Sequence, residues 1–162
     1  LVDFNGDGAM DVLTANGDNA DYTPFAKHYH GVRVYLNDGK NHFAEAVFYP
    51  LNGAYKALPV DFDGDGDLDI AAISFFPDYE KAPEESFVYL ENKGDMAFVA
   101  WTFLAATDAR WLTMDAGDID GDGDEDIVLG AFVRGASNVP PALEKRWQRE
   151  ATSILILRNK HF

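Results

Sequence analysis

Short apolar segments recur along the chain, each directly after a polar stretch. They read VLTAN from Val12, IAAISFF from Ile70 and IVLGAF from Ile127. Their length and their enrichment in β-branched residues predict short strands. Because apolar residues occupy consecutive positions, we expect these strands to be apolar on both faces, as in a sheet that is packed from two sides.

A second set of strand-like segments follows at a variable distance. It comprises VRVYLNDGKNHF from Val32, FVYLENKGDMAF from Phe87 and SILILRNKHF from Ser153. Each predicted strand ends in a turn that contains Asn. In the first two copies the turn carries Gly39 or Gly94 and a further apolar stretch follows, which predicts a hairpin.

The polar stretch before each apolar segment is rich in aspartate. DFNGDGAMD starts at Asp3, DFDGDGDLD at Asp61 and DIDGDGDED at Asp118, so successive copies begin 58 and 57 residues apart. A regular period of this size indicates a repeat architecture. The repeat unit is strand A, Asp-rich loop, strand B, variable loop, strand C, tight turn and strand D, which is the make-up of a β-propeller blade.

We therefore predict an all-β fold built from propeller blades of four antiparallel strands. The sequence does not fix the total number of blades in the propeller, for which seven is one candidate. The units span approximately 1–51, 52–106 and 107–162. The first lacks nearly all of strand A and the third lacks strand D, so the chain holds about two and a half blades of a larger propeller. The segment PPALEKRWQREA, from Pro140 to Ala151, predicts one short inserted amphipathic helix that starts with prolines.

Length and composition narrow the interpretation. The chain has 162 residues, which suits one domain or part of a larger one, and its start at Leu1 inside a motif indicates a processed or partial chain. A net charge of −15 argues against nucleic acid as a partner. The sequence has no cysteine and no signal peptide, and it lacks the run of about 18 apolar residues that a membrane-spanning helix needs.

The Asp-rich loops are the strongest candidate sites. Numbered 1 to 9, each loop places carboxylate or amide side chains at positions 1, 3, 5 and 9, and a backbone carbonyl at position 7 completes the set. Hard oxygen ligands of this kind suit Ca²⁺, which takes six to eight of them. The predicted metal ligands are Asp3, Asn5, Asp7, Ala9 and Asp11; Asp61, Asp63, Asp65, Asp67 and Asp69; and Asp118, Asp120, Asp122, Asp124 and Asp126.

Two further features favour three structural calcium sites over acidic, solvated turns. Glycine occupies positions 4 and 6 of every copy, where a loop curled around an ion needs positive φ angles. Half of the 28 acidic residues of the chain lie in these loops. An EF-hand is excluded, because its twelfth-position Glu is replaced by Thr14, Ala72 and Leu129.

The segments DFDGDGDLDIAA and DIDGDGDEDIVLGAF resemble FG-GAP or VCBS-type repeats, the blades of the propeller of integrin α subunits and of many bacterial surface proteins. The resemblance covers nearly the whole chain. It implies calcium at the loop positions named above, a propeller that often has seven blades, and an extracellular, cell-surface or periplasmic role in adhesion or scaffolding. Asn5 and Glu125 depart from the pattern, and the second departure suggests a shifted start for the strand that follows.

Other candidate sites are less specific. His28 and His30, with Asp18 and Asp21 nearby, have residue types that Zn²⁺ uses, but we interpret them as ordinary loop residues. The adjacent carboxylates of Glu84 and Glu85 raise the alternative of a glycosidase pair, which would need to face each other across a substrate.

The loops between strands B and C differ in every unit and lie on the face opposite the Asp-rich loops. Variable loops on a rigid scaffold are where binding tends to reside. Their aromatic residues suit a protein or carbohydrate partner, and we select Tyr29, Tyr79 and Trp147 as partner-binding candidates.

The sequence thus predicts a non-enzymatic, calcium-stabilised propeller segment that serves as a binding, adhesion or structural module of an exported protein. The alternative is part of a propeller enzyme that acts on polysaccharide, with calcium again structural. We expect the missing strands to come from flanking sequence or from another chain, because unpaired sheet edges favour association.

Overall fold

The structure is a computed structural model that describes residues 1–17, 27–133 and 139–160. The described residues form three antiparallel sheets. Sheet one consists of β1 (Val12–Asn16), β2 (Gly31–Asn37) and β3 (Phe43–Pro50). Sheet two consists of β4 (Ala54–Val60), β5 (Asp69–Ser74), β6 (Phe87–Asn92) and β7 (Phe98–Trp101). Sheet three consists of β8 (Trp111–Gly117), β9 (Asp126–Ala131) and β10 (Ile154–Leu157).

In every sheet the strands pair in chain order, each with its neighbour in sequence. Sheet two has all four strands of the predicted unit. In sheet one only an isolated bridge between Val2 and Asp11 stands in the place of strand A, and in the described part of sheet three β10 is an edge strand. The prediction of an all-β fold made of propeller-like, four-stranded units is confirmed.

Sheet two lies between the other two, and β5 shows why. Ile70 and Ala72 pack in one apolar cluster with residues of sheet one. Ala71 and Ile73 point the other way, into a second cluster with residues of sheet three. All four side chains are fully buried. The expectation of a strand that is apolar on both faces is therefore confirmed for β5, while the residues of β1 are only partly buried or exposed.

The single α-helix of the described residues, α1 (Pro141–Glu150), is the predicted insertion. Pro140 precedes its first turn, and Ala151 ends it in the left-handed conformation with φ 50°. Trp147 anchors the helix, because its side chain is 1% exposed and its indole Nε1 donates a hydrogen bond of 2.9 Å to the carbonyl of Thr107. Arg146 adds an ion pair of 3.2 Å with Asp108.

Two short 3₁₀ helices, Pro83–Ser86 and Leu104–Thr107, pack near each other on the connections around β6 and β7. Ser86 joins them, since its hydroxyl donates to the carbonyl of Ala106 over 2.7 Å. In the parts of the chain that the structure describes, no helix has the length and apolar character needed to cross a membrane.

Candidate metal centres

The three Asp-rich loops adopt the same curled backbone. The glycines at positions 4 and 6 all have positive φ angles between 70° and 98°, a region that glycine reaches at little cost. They are Gly6, Gly8, Gly64, Gly66, Gly121 and Gly123. The glycine spacing in the sequence therefore predicted the local geometry correctly, and a strand follows each loop, unlike the helix of an EF-hand.

The aspartate at position 1 holds each loop closed. In the second loop the two oxygens of Asp61 accept hydrogen bonds from the backbone N–H groups of Asp65, at 3.2 Å, and Gly66, at 3.0 Å. Asp3 likewise accepts from the N–H groups of Asp7 and Gly8, and Asp118 accepts from those of Gly121 and Gly123. Backbone donors that point at a carboxylate from one side turn the loop around a common centre.

Side chains at positions 1, 3 and 5 converge on that centre in the second and third loops. In each loop one carboxylate oxygen from every member lies within 4.8 Å of the others. The two clusters are Asp61, Asp63 and Asp65, and Asp118, Asp120 and Asp122. Three carboxylates this close repel one another in the absence of a cation, so each cluster could hold a metal ion.

The first loop has the same shape with less charge. Asn5 takes position 3, and its amide Nδ2 donates a hydrogen bond of 2.9 Å to a carboxylate oxygen of Asp7. Because an amide carries no charge, Asn5 does not add the repulsion that a third carboxylate would add. The first loop therefore offers two carboxylates and one amide oxygen where the other two loops offer three carboxylates.

The pKa values at position 3 follow from this crowding. The pKa of Asp63 is raised, first by loss of solvent and then by the negative charge of Asp69. The pKa of Asp120 is raised by loss of solvent and then by the charges of Asp122 and Asp126. The guanidinium of Arg158, whose Nη1 lies 3.2 Å from Oδ2 of Asp120, acts in the opposite direction and lowers this pKa. A bound cation would favour the charged form of both groups.

Position 9 has a role that the sequence interpretation missed. Asp69 is fully buried, and its carboxylate accepts three hydrogen bonds. The donors are the backbone N–H of Phe62 at 3.1 Å, the backbone N–H of Asn92 at 2.8 Å and the hydroxyl of Tyr89 at 2.7 Å. Asp69 thus links its own loop to the end of β6.

The same link is present in each sheet. Asp11 accepts from the N–H groups of Phe4 and Asn37, and Asp126 accepts from those of Ile119 and Asn159. Asn37 and Asn92 are the last residues of β2 and β6, and Asn159 lies two residues after β10, so the recurrence of this Asn was the signal that could have predicted the link. Metal ligation by the aspartates at position 9 remains a prediction.

Position 7 stabilises the turn through its backbone. The N–H groups of Ala9, Asp67 and Asp124 donate to the carboxylate at position 5 of their own loop, over 2.8, 2.9 and 3.1 Å. Ligation by their carbonyl oxygens remains a prediction. Glu125 does not shift the start of the strand that follows, since β9 begins at Asp126 and β5 at the equivalent Asp69.

Two of the three aromatic partner-binding candidates are buried. Tyr79 is 4% exposed and Trp147 is 1% exposed, and their rings pack edge to face with centroids 5.4 Å apart. The interpretation of these two as surface contacts is wrong, because the helix folds back and uses Trp147 as its anchor. Burial also raises the pKa of Tyr79 to about 12. Tyr29 is 53% exposed and stays a candidate.

The histidine pair does not form a metal cluster among the described residues. His28 is exposed, whereas His30 is 2% exposed and its ring Nδ1 lies 3.3 Å from the backbone N of Gly53 and 3.4 Å from Oδ1 of Asn52. These contacts agree with a structural role for His30. Asp18 and Asp21, which were considered with the pair, lie outside the described residues.

Comparison with protein families agrees with the repeat. Residues 3–72 match the family model described as the FG-GAP-like repeat. The match begins at the first Asp-rich loop and ends within β5, beyond the second loop. Comparisons with curated proteins and with solved structures found no match. The chain therefore carries an FG-GAP-like repeat on a β-rich, propeller-like fold, and this kind of repeat is typical of extracellular proteins.

Proposed function

We propose that the chain is a segment of a calcium-stabilised β-propeller that serves as a binding or structural module of an exported or cell-surface protein. The observation that carries this proposal is the convergence of three aspartates in each of two loops that share one backbone geometry. The FG-GAP-like repeat over residues 3–72 supports the same assignment.

Calcium is the metal that the donor set favours. Carboxylate, amide and backbone oxygens are hard ligands, and the loops offer neither the imidazole nor the thiolate that Zn²⁺ prefers. Mg²⁺ demands a near-ideal octahedron at about 2.0–2.1 Å and gives up its water reluctantly, whereas Ca²⁺ accepts irregular sets of six to eight oxygens. Loops rich in carboxylates therefore suit Ca²⁺ better than Mg²⁺.

The ions would act on the fold. Each candidate centre lies in a loop that a buried aspartate, such as Asp69, ties to the end of strand C. An ion held by positions 1, 3 and 5 would fix the loop and, through this link, the hairpin beside it. A ligand that binds only the folded state stabilises that state by mass action.

The open face of sheet three supports assembly into a larger propeller. Ile154 and Ile156 are 66% and 44% exposed. Counted back from the recurring Asn, which is Asn159 here and Asn37 in sheet one, their equivalents are Val32 and Val34, which are buried against sheet two at 1% and 0% exposure. We infer that a further blade, from flanking sequence or from another chain, covers Ile154 and Ile156.

The partner would contact the face opposite the metal loops. Tyr29 is the exposed candidate there, and Arg33 supports its backbone by donating from Nη1 to the Tyr29 carbonyl over 2.7 Å. A protein or a carbohydrate can pack on such a ring. Tyr29→Ala should weaken partner binding while leaving calcium-dependent melting unchanged, and an unaltered affinity would remove Tyr29 from the site.

Thermal unfolding tests the proposal. Calcium at about 100 times its Kd adds about 2.7 kcal/mol per site, so we expect each occupied site to raise the Tm by roughly 5–11 °C relative to chelator. The double variant Asp63→Ala, Asp120→Ala should lose most of this rise. Asp115→Asn, an exposed aspartate of β8 outside the loops, is the matched control and should keep it.

A Tm that does not respond to chelation would contradict the proposal. So would an equal rise with Mg²⁺ at the same concentration, because the donor set would then not select calcium. If Asp115→Asn also lost the calcium-induced rise in Tm, general surface charge, and not the loops, would be its cause.

A further inference from the structure

One position near the end of strand C carries a different charge in each unit. It is the residue directly before the recurring Asn, and it is Leu36 in the first unit, Glu91 in the second and Arg158 in the third. The position is thus neutral, negative and positive in turn. Where its side chain reaches the Asp-rich loop of its own unit, this charge acts on any cation that the loop holds.

In the third unit this side chain contacts a candidate metal ligand directly. Nη1 of Arg158 donates a hydrogen bond of 3.2 Å to Oδ2 of Asp120, and the two groups form an ion pair. Asp120 is position 3 of its loop and belongs to the cluster with Asp118 and Asp122. The guanidinium therefore offsets the charge of one of the three carboxylates that could hold a metal ion.

The contact joins elements of a single sheet. Asp120 lies in the loop between β8 and β9, and Arg158 directly follows β10. Strand β9 pairs with both β8 and β10. The ion pair therefore follows from the strand register within sheet three and from the curl of the loop, and it involves no interface between units.

Sheet two, in which all four strands are described, places the same position beside its loop. Loss of solvent and the charge of Asp69 raise the pKa of Asp63, and the charge of Glu91 adds to this rise. Glu91 is thus close enough to act on position 3. Lys93 pairs with Glu91, so the pair adds little net charge beside the second loop, whereas Arg158 adds a positive charge beside the third.

A positive charge at this place opposes a bound cation in two ways. The ion must share the carboxylate of Asp120 with Arg158 or displace it. The guanidinium also repels a divalent ion, whichever oxygen of Asp120 faces that ion. Because the side chain of Arg158 is 58% exposed, water and salt screen this repulsion, and we expect a weaker site and not a lost one.

We propose that Arg158 competes with calcium for Asp120 and lowers the affinity of the third loop, so that this loop fills after the second as the calcium concentration rises. The inference rests on the proposed calcium sites and names a residue that ranks two of them. The third loop keeps three carboxylates at positions 1, 3 and 5, one more than the first loop. Its affinity should therefore lie between those of the second and first loops.

Calcium titration of a full chain with one intact loop tests this inference. Asp7→Ala and Asp65→Ala remove the position-5 ligand from the first and second loops, so the third loop is the site that is measured. In this background Arg158→Gln, which removes the charge and keeps a hydrogen-bond donor, should raise the calcium affinity at least about threefold. Arg158→Glu, which introduces the residue of the second unit, should raise it further.

Two controls separate charge from other causes. Arg158→Lys keeps the positive charge and should stay within about twofold of the background chain. Arg149→Gln removes an arginine of α1 that is 75% exposed, and it should leave the calcium affinity unchanged. An equal gain in Arg149→Gln would assign the effect to the net charge of the chain and would overturn the proposal. So would an equal gain in Arg158→Lys, because the shape of the arginine would then be the cause.

Ionic strength provides a readout that a structural role would not change. Raising it from about 0.01 M to about 1 M shortens the Debye length from about 30 Å to about 3 Å. The gain of Arg158→Gln over the background chain should shrink accordingly. A gain that persists in full at high salt would identify a steric cause and would contradict the proposal.

The outcomes distinguish this inference from the proposed function. Equal calcium affinity in the background chain, Arg158→Gln and Arg158→Glu would overturn the role of Arg158 and leave the calcium site in place. Absence of calcium binding in all three chains would contradict the calcium assignment of the third loop, and the inference would fail with it.

Discussion

The first and second Asp-rich loops have one backbone and two different charge sets. Both curl through a pair of glycines with positive φ, and in both the position-1 aspartate closes the loop with two backbone hydrogen bonds. They differ in charge at position 3, where Asn5 corresponds to Asp63, and at position 7, where Ala9 corresponds to Asp67. The difference shows that glycines and hydrogen bonds set the shape, while the charge available to a metal varies independently on that shape.

The link at position 9 also differs between these two loops, and we expect its removal to have the largest effect on the free energy of unfolding. Asp69 accepts three hydrogen bonds, one of them from Tyr89, whereas Asp11 accepts two from the backbone. Asparagine would turn an N–H donor toward another donor and leave buried groups unsatisfied, at about 1–3 kcal/mol each. We expect Asp69→Asn to cost about 4 kcal/mol and Asp11→Asn about 2 kcal/mol.

Urea unfolding of both variants in calcium measures this difference. A match between the two losses would show that the Tyr89 bond contributes nothing. A negligible loss in either variant would show that the position-9 aspartate is not a structural link.

Removing the position-5 ligand tests whether calcium stabilises the second loop more than the first. Asp65→Ala should abolish the calcium-dependent stabilisation of the second loop, about 2.7 kcal/mol at 100 times the Kd. Asp7→Ala should cost less, because the first loop binds with fewer charges and is less saturated at the same calcium concentration. The measurement is the difference in unfolding free energy between calcium and chelator. A larger calcium-dependent loss in Asp7→Ala would reverse the ranking of the two loops.

How much of this could be predicted from sequence depends on the range of the interactions. The strand VLTAN was predicted with the bounds that the structure gives β1, since turn and strand signals are local. The curled loops followed from the glycine spacing. The helix around Trp147 was also predicted, but its docking on Thr107 was not, because 40 residues separate the two partners.

The same limit explains the errors at the candidate site. Tyr79 was expected at the surface, yet Trp147 and the residues around it bury its ring. Asp69 was interpreted only as a ligand, because its partners Asn92 and Tyr89 belong to β6. Contacts between distant segments decide burial and hydrogen bonding, and a single sequence carries only weak signals for them, such as the repeated Asn at the end of strand C.

Exchanging the residue at position 3 should exchange the side-chain ligand that separates the two loops at positions 1, 3 and 5. Asn5→Asp adds the missing carboxylate to the first loop, and we expect its calcium affinity to rise by about tenfold, or about 1.4 kcal/mol. Asp63→Asn is the reciprocal change and should weaken the second loop by a similar factor. Competition with a chromophoric chelator measures both affinities. Unchanged values in both variants would show that position 3 does not ligate.

The smallest effect that we expect is on the pH dependence of the unfolding free energy of the metal-free protein. The pKa of Asp63 is raised above its ordinary value of 3.8, so the folded state binds this proton more readily than the unfolded state does. The resulting stabilisation is present at low pH and is lost as the pH rises from 3.8 through the raised pKa. Asp63→Asn should remove that loss.

Urea unfolding in chelator-treated buffers between pH 3.5 and 7, with the variant compared to the parent chain, measures this dependence. The first loop supplies an internal reference, because Asn5 cannot titrate. A parent curve and a variant curve that run parallel across this range would contradict the assigned crowding around Asp63.

Calorimetric titration of Ca²⁺ into the metal-free full chain tests the central claim most directly, because it counts the sites and ranks them at once. We predict two tighter equivalents, from the loops that start at Asp61 and Asp118, and a third, weaker one from the loop that starts at Asp3. Mg²⁺ should bind all three more weakly. Fewer than two equivalents, or Mg²⁺ binding as tightly as Ca²⁺, would contradict the proposal that these loops are calcium sites.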